Sequence, residues 1–298
     1  ELEFACRYLA VPPPGTERIA LDSPLGHHEF KVGKSHTDDF ADRRVIITLS
    51  KNNRLSWIQD WMRYHRDNHG SDAVLLYDNA STDYTTEALL SAMSDVEGFK
   101  TVVVVKWPFK YGPQGRADGS HWESFFSHRG MLENARHRYL ARARSVVQCD
   151  IDELIVCRGS IHEKVEASLF GALFFYGTWV IDGEQVAQLK PGQPIRHRDL
   201  DIRLPAIPQR RALLLTLDAN RCRTKYAVVP RRCPSSSQWD SHNINRWLAG
   251  HLRDLSLTYR HFRSISTSWK YERKASETEV NLGIVDGELR TALDRVRW

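Results

Sequence analysis

The chain has 298 residues, of which 41% are hydrophobic and 27% charged, and this composition excludes fibrous and mainly disordered proteins. Its formal net charge of +5 suits an anionic ligand, an anionic membrane surface or nucleic acid, without selecting among them. The length allows one large α/β domain or two small ones.

The elements after residue 41 alternate between strand and helix. Short β-branched runs predict buried parallel strands, and apolar residues at helical spacing predict amphipathic helices. In chain order we predict a strand at 45–49, a helix at 55–65, a strand at 73–77, a helix at 85–93, a strand at 101–105, a helix at 127–143, and strands at 145–149 and 173–176. This alternation predicts a doubly wound sheet.

Three segments follow from the same pattern. Residues 1–41 lack periodicity and predict an irregular lead-in, residues 42–275 predict one α/β domain, and residues 276–298 predict a charged helical extension. The glycine- and proline-rich loop at 108–121 is either a disordered connection or a lid over a ligand.

The cysteines bear on the cellular location. Their number, five, is odd and includes no Cys-x-x-Cys pair, which argues against a disulfide framework or a zinc site. No stretch reaches the roughly 18 apolar residues of a membrane span. We therefore expect a cytoplasmic protein, with peripheral contact to the inner face of a membrane through the basic helix at 136–144. A lumenal domain of an anchored enzyme is the alternative.

Two acidic segments follow predicted strands at the point where each strand ends. Asp78 opens the segment 78–83, and Asp150 and Asp152 follow the strand at 145–149. Because ligands of an open parallel sheet bind outside the carboxyl ends of its strands, both segments can reach one ligand. Carboxylate oxygens suit Mn²⁺ or Mg²⁺, which neutralises the charge of a leaving diphosphate. Each segment alone is also compatible with a capped turn.

Several motifs taken together resemble the glycosyltransferase family 2 and family 92 group, and family 92 with its family-2-like relatives most closely. The earlier motifs are Thr48-Leu49-Ser50-Lys51-Asn52, Trp57-Ile58-x-x-Trp61-x-x-Tyr64-His65, Tyr77-Asp78-Asn79-x-Ser81-x-Asp83-x-Thr85 and Asp150-Ile151-Asp152-Glu153-Leu154. The later motifs are Gly177-Thr178-Trp179, Lys225-Tyr226 with Pro230 and His242, and the stretch from Arg260 to Lys274. The acidic residue usual after the first Lys-Asn is absent. The resemblance implies the GT-A fold, a Rossmann-like mixed, mostly parallel α/β sheet flanked by helices.

The resemblance also implies a metal-dependent glycosyltransferase. Its donor would be a nucleotide-diphosphate sugar, a UDP-sugar such as UDP-galactose, and its acceptor a glycan or a glycolipid. The residues that would bind the nucleotide and its diphosphate are Leu49, Asn52, Asp78, Asp150, Lys270 and Lys274.

The same likeness implies the ligands of Mn²⁺ or Mg²⁺. Asp150 and Asp152 would be the Asp-x-Asp pair, and His242 would complete the shell, with His261 competing for that role. His242 is equally compatible with an ordinary surface position in a polar loop.

An inverting transferase needs a general base for the acceptor hydroxyl. Asp182 and Glu184 follow the acceptor-side segment and are the residues we select for this role, ahead of Glu153. A retaining enzyme would need no such base.

Other functions remain as alternatives. A nucleotidyltransferase shares the sheet and the carboxylates, but it usually carries a glycine-rich loop after the first strand, where this chain has Ser50 to Arg54. A basic nucleic-acid-binding protein would need a basic stripe, whereas lysine and arginine are scattered here, so no nucleic acid partner is expected.

Overall fold

The computed structural model describes residues 13–112, 125–183, 186, 188–190, 192–212, 215–267 and 281–298. The helices of these residues are α1 (Leu55–His69), α2 (Thr86–Ser94), α3 (Phe126–Arg138), α4 (Ile161–Ala167) and α5 (Gly287–Asp294). The earlier strands are β1 (Arg18–Ser23), β2 (Gly26–Lys31), β3 (Arg44–Ser50), β4 (Ala73–Asp78), β5 (Thr101–Lys106), β6 (Ser145–Gln148), β7 (Glu153–Val156) and β8 (Ala172–Ile181). The later strands are β9 (Ile202–Arg203), β10 (Pro208–Ala212), β11 (Leu215–Asp218), β12 (Cys222–Val228), β13 (Gln238–Trp239), β14 (Ile244–Asn245), β15 (Thr258–Phe262) and β16 (Ile284–Val285).

A 10-stranded mixed sheet forms the centre of the molecule, and its first half is parallel. Strands β6, β3, β4 and β5 lie side by side in that order, all pointing the same way. Ser50 pairs with Asp78 in register, so the ends of β3 and β4 lie at one edge of the sheet. The acidic segment after β6 reaches the same edge, as the strand-end rule predicts.

The second half of the sheet is largely antiparallel. Strand β12 lies between β6 and β8 and runs antiparallel to both, and β9 and β16 continue the sheet beyond β8. Strand β15 pairs antiparallel with β7 and parallel with β8. The fold class predicted from the sequence, a mixed α/β sheet flanked by helices, is confirmed.

Helices cover both faces of the parallel strands. Alternate residues of a strand point to opposite faces, so each strand packs against helices on both sides. Ile46 and Leu76 pack in the cluster that contains Trp61 of α1. Ile47 and Tyr77 pack in the other cluster, which contains Leu132 of α3. Strands buried on both faces read as continuous apolar runs, which is why the sequence identifies β3 and β4.

The structure differs from the sequence-based prediction at several elements. The lead-in is not irregular throughout, since β1 and β2 form an exposed antiparallel hairpin at residues 18–31. Helix α3 ends at Arg138 rather than at 143. Strands β12 and β15 were not predicted, because polar and charged residues interrupt their patterns, and β7 was not predicted because its four residues directly follow the acidic segment. The predicted segment limits at 41 and 275 stay predictions; α5 packs Leu289 and Leu293 into the core.

Arginines of the basic segment at 136–144 are bonded to other groups of the same chain. Arg136 is buried and donates to the carbonyl oxygens of Ser237 and Pro234. Arg142 pairs with Asp38, and Arg144 lies 2.9 Å from Glu166. Within the described ranges, no helix combines the length and apolar character needed to cross a membrane.

Two histidines of α1 are fully buried. His65 Nδ1 donates to the Trp61 carbonyl oxygen, 2.8 Å away, so Nδ1 carries the proton, and His69 Nε2 lies 2.9 Å from the Ile155 carbonyl oxygen. Burial lowers the pKa of His65 to about 3 and that of His69 to about 4, from an ordinary value of 6.5. Both imidazoles are therefore neutral in the folded protein at pH 7.

These histidines make the protein sensitive to acid. Below pH 6.5 these two histidines bind protons in the unfolded chain but stay neutral in the folded protein. The free energy of unfolding therefore falls as the pH decreases from 6.5 towards about 4. At about pH 5 each histidine costs roughly 2 kcal/mol of unfolding free energy. Urea unfolding at about pH 7.5, 6 and 5 measures the loss. His65→Gln should reduce it, with the exposed His251→Gln as matched control; an unchanged unfolding free energy across this range would contradict the prediction.

Candidate functional site

A cavity of about 500 Å³ lies at the edge where the parallel strands end. One side is formed by residues that follow β3, β4 and β5, and the other by residues of β8, β12 and β15. The acidic segment after β6 lies between the two sides. Side chains from all six elements therefore converge on one space, as expected for a ligand site of an α/β sheet.

Asn52 joins the loops after β3 and β4. Its backbone has a positive φ of 54°, and its amide hydrogen donates to Ser81 Oγ at 2.9 Å. Its side chain bonds to Thr82 twice, accepting from the backbone N–H at 2.7 Å and donating to Oγ1 at 3.1 Å. Asp78 is buried and accepts from the Ser81 backbone N–H at 3.1 Å. Asn52 and Asp78 thus hold the two loops, whereas Leu49 itself lines the cavity.

An aromatic segment after β5 forms part of the wall. Asn79 is buried and donates to the carbonyl oxygens of Trp107 and Phe109, each at 2.7 Å. The two rings meet edge to face, with centroids 4.5 Å apart. Phe109 lines the cavity and is 56% exposed, so an apolar face is available to a ligand. Sequence analysis gave Phe109 no role, although Trp107-Pro108-Phe109 follows a strand.

A buried ion cluster forms where β6 ends. Lys225 Nζ, fully buried in β12, lies 2.6 Å from Asp150 Oδ2 and 3.0 Å from Glu153 Oε2. Burial alone would raise the pKa of Asp150, but the Lys225 ammonium outweighs it and holds that pKa well below its usual range. Burial raises the pKa of Glu153 to about 7, against the opposing pull of Lys225. Sequence analysis gave Lys225 no function of its own, because a lysine in a polar stretch carries no signal of burial.

His261 meets the acidic segment because β15 pairs with β7. In that register His261 lies opposite Glu153, and the Phe262 amide hydrogen donates to the Asp152 carbonyl at 2.8 Å. His261 Nε2 is 3.1 Å from Asp152 Oδ2, and Nδ1 is 3.9 Å from Glu153 Oε1. Trp179 stacks on the imidazole, with centroids 4.3 Å apart and an interplanar angle of 21°. The imidazole is thus held by contacts on several sides.

His242 also lines the cavity, beside Asp150 rather than in the group around Asp152. Its Nδ1 lies 3.0 Å from the Thr224 carbonyl oxygen, which can only accept, so Nδ1 carries the proton and Nε2 has a free lone pair. Burial lowers the pKa of His242 to about 3, which keeps the ring neutral.

The predicted general bases lie apart from this cluster or outside the described residues. Asp182 accepts a hydrogen bond from Ser264 Oγ and is not among the cavity-lining residues of the described chain. Glu184, Lys270 and Lys274 fall outside the described residues. So does most of the predicted loop at 108–121, of which residues 108–112 are described.

One group of side chains in the described chain could hold a metal ion. Ligand atoms of Asp152, Glu153 and His261 all lie within 4.8 Å of one another. Carboxylates and water suit Mg²⁺ and Mn²⁺, and an imidazole in the set favours a transition metal over Mg²⁺. In an octahedral shell with bonds of about 2.1 Å, adjacent ligand atoms are roughly 3 Å apart, close to the spacing between Asp152 Oδ2 and His261 Nε2. The donor set therefore fits Mn²⁺.

Comparisons with known proteins returned solved structures alone, since no protein-family description and no curated protein matches the chain. The chain is similar to the mannosyltransferase Ktr4p from S. cerevisiae, at a TM-score of 0.32 and 10% identity over 51% of this chain and 43% of that one. It is also similar to the bifunctional glycosyltransferase WbbM (TM-score 0.34, 10% identity, 69% and 34% covered). A third match is the galactosyltransferase LgtC (TM-score 0.31, 13% identity, 63% and 58% covered). The chain thus spans less than two thirds of each, and similarities this low assign no reaction.

Gly177 allows β8 and β15 to approach closely. A Cβ at this position would meet the ring of Tyr259 closer than van der Waals contact. Because Tyr259 is buried, Gly177→Ala should force the strands apart and cost about 1–3 kcal/mol of unfolding free energy, measured by urea unfolding. Gly287→Ala is the matched control, since a Cβ there meets nothing within 4 Å. Equal stability of the two variants would contradict the close approach.

Proposed function

We propose that the protein is a metal-dependent glycosyltransferase of the GT-A type, which moves a sugar from a nucleotide-diphosphate sugar to a glycan or glycolipid acceptor. The observation that carries the proposal is the pair of Asp152 Oδ2 and His261 Nε2, 3.1 Å apart in the wall of a cavity at the carboxyl-end edge of the sheet. A carboxylate and an imidazole at the spacing of neighbouring metal ligands suit a cation that faces a diphosphate.

The residues that would hold the cation are Asp152 and His261, with Glu153 behind them. A bound Mn²⁺ or Mg²⁺ would neutralise the charge that develops on the departing diphosphate. Glu153 Oε1 lies 3.9 Å from His261 Nδ1, on the side of the ring away from Asp152, and a carboxylate behind a metal-binding histidine commonly tunes it. The roles expected for Asp150 and His242 as ligands stay predictions.

The donor would lie with its base against the wall formed after β3 and β5. Leu49 and Phe109 supply apolar surface there, and Asn79 fixes the segment that carries Phe109. Lys51 and Lys110 line the same side and offer positive charge to the diphosphate. Lys270 and Lys274 remain the predicted additional phosphate ligands. A UDP-sugar is the donor we propose.

The acceptor would enter from the side of β8, β12 and β15. Trp179 and Arg223 line the cavity there. An inverting reaction needs a base for the acceptor hydroxyl, and Asp182 and Glu184 keep that predicted role. The Ser264 hydroxyl donates to Asp182, so it would have to release that carboxylate before Asp182 could accept a proton.

Calorimetric titration of UDP with and without Mn²⁺ tests the proposal. We expect UDP to bind in the presence of Mn²⁺. Asp152→Asn and His261→Gln should each weaken the Mn²⁺-dependent binding of UDP about 10–100-fold, because each removes a proposed ligand of the cation. Asp95→Asn and His251→Gln change exposed residues and serve as controls. Turnover of UDP-sugars then identifies the sugar.

Other outcomes of this titration separate the alternatives. UDP binding that depends neither on Mn²⁺ nor on Asp152 would contradict the proposed role of a metal ion in donor binding. Binding of a nucleoside triphosphate with release of pyrophosphate would instead support the nucleotidyltransferase alternative. The absence of any nucleotide binding by the folded protein would refute the proposed function.

Phe109 provides a separate test of the base-binding wall. Phe109→Ala should weaken UDP binding about tenfold, because aromatic stacking on a base contributes roughly 1–3 kcal/mol. Mn²⁺ affinity should stay unchanged, since Phe109 lies outside the group of possible metal ligands. Phe30→Ala is the matched control, because Phe30 in the hairpin is 53% exposed against 56% for Phe109. Equal UDP affinities of the two variants would place the base elsewhere.

A further inference from the structure

Lys225 is a fully buried cation in the middle of a strand. It occupies the centre of β12, with β6 on one side and β8 on the other. The residues around it in β12 are buried as well, and Tyr226, Ala227 and Val228 belong to the hydrophobic clusters. An ion pair at such a position seldom stabilises a fold more than apolar residues of similar volume would. The ammonium therefore calls for an explanation beyond packing.

The ammonium binds two of the three carboxylates at the end of β6. Its Nζ contacts Asp150 Oδ2 and Glu153 Oε2, and Glu153 Oε2 also accepts the Asp150 backbone N–H at 2.8 Å. One oxygen of each of these two carboxylates is therefore bonded to groups of the protein interior. The other Glu153 oxygen faces His261, and Asp152 faces the opposite nitrogen of the same imidazole.

The charges of the cluster add up to a simple value. Asp150, Asp152 and Glu153 carry three negative charges when ionised, Lys225 cancels one, and an imidazole that binds a metal is neutral. These five side chains by themselves therefore sum to the charge that one divalent cation balances. Without the ammonium, three carboxylates would share one small region, which favours binding of more positive charge.

We propose that Lys225 is a positioning residue, which holds Asp150 out of the cation's ligand shell and limits the affinity of the site for one divalent cation. This inference rests on the proposed function, because it assigns the cation to Asp152 and His261. Lys225 acts through Asp150, whose Oδ2 it bonds and whose charge it neutralises.

The experiment measures Mn²⁺ affinity by electron paramagnetic resonance of the free ion, at about pH 8, in wild type and in two variants. Lys225→Met removes the repulsion between the ammonium and the bound cation, so we expect Mn²⁺ to bind at least about tenfold more tightly. A role confined to packing would predict weaker binding or none. Circular dichroism establishes that each variant is folded.

The double variant Lys225→Met/Asp150→Asn is the charge-matched control. It removes both partners of the buried ion pair, so the net charge of the cluster equals that of wild type. The Mn²⁺ affinity should therefore return to within about threefold of the wild-type value. Should Lys225→Met fail to fold, this variant decides alone, because replacing both partners leaves no unpaired buried charge. Lost Mn²⁺ affinity in the folded double variant would make Asp150 a direct ligand and overturn the inference.

The remaining outcomes separate the inference from the proposed function. If wild type binds Mn²⁺ and the folded Lys225→Met variant binds it equally or more weakly, the role of Lys225 is wrong while the metal site stands. If wild type binds no Mn²⁺, the metal-dependent function fails and the inference fails with it.

Discussion

The pairing of β15 with β7 and β8 is the constraint on which the site depends. It brings His261 next to Asp152, which lies 109 residues earlier in the chain, and the register of the strands places His261 opposite Glu153. Closing so long a loop costs entropy, which the ladder hydrogen bonds and the burial of Tyr259 and Phe262 must offset. Because His261 lies in β15, Glu153 opens β7, and the Phe262 amide hydrogen bonds to the Asp152 carbonyl oxygen, their spacing is set before any ligand arrives.

A second constraint follows from bringing carboxylates together in a buried place. Like charges at short range repel, and Glu153 at the floor of the cavity is buried, so the fold has to supply its own positive charge. Lys225 supplies it from β12, the strand that joins the parallel half of the sheet to the antiparallel half. The same strand thus completes the sheet and sets the charge of the site, which couples the stability of the fold to the electrostatics of the cavity.

The parallel half of the fold could be predicted from the sequence, and the antiparallel half could not. Strands β3 and β4 are buried on both faces and read as apolar runs. Strands β12 and β15 carry the buried Lys225 and Arg260 and the partly buried His261, whose partners lie far away in the chain, so their local pattern resembles a polar loop. Asp150 and Asp152 were selected from the sequence because they follow a strand, and both line the cavity. Only the register of β15 with β7 distinguishes His261 from His242, and no local pattern contains that register.

This division also separates the two substrates of the proposed reaction. The donor side of the cavity is built from loops after the parallel strands, whose apolar wall and lysines suit a base and a diphosphate. The acceptor side is built from β8, β12 and β15, with Trp179 and Arg223 in its wall. Parallel strand ends form a ligand site by a general rule, so the place that we propose for the donor follows from the order of the elements. The acceptor meets side chains whose positions depend on long-range pairing, and its identity is therefore encoded in the part of the sheet that local sequence patterns reveal least.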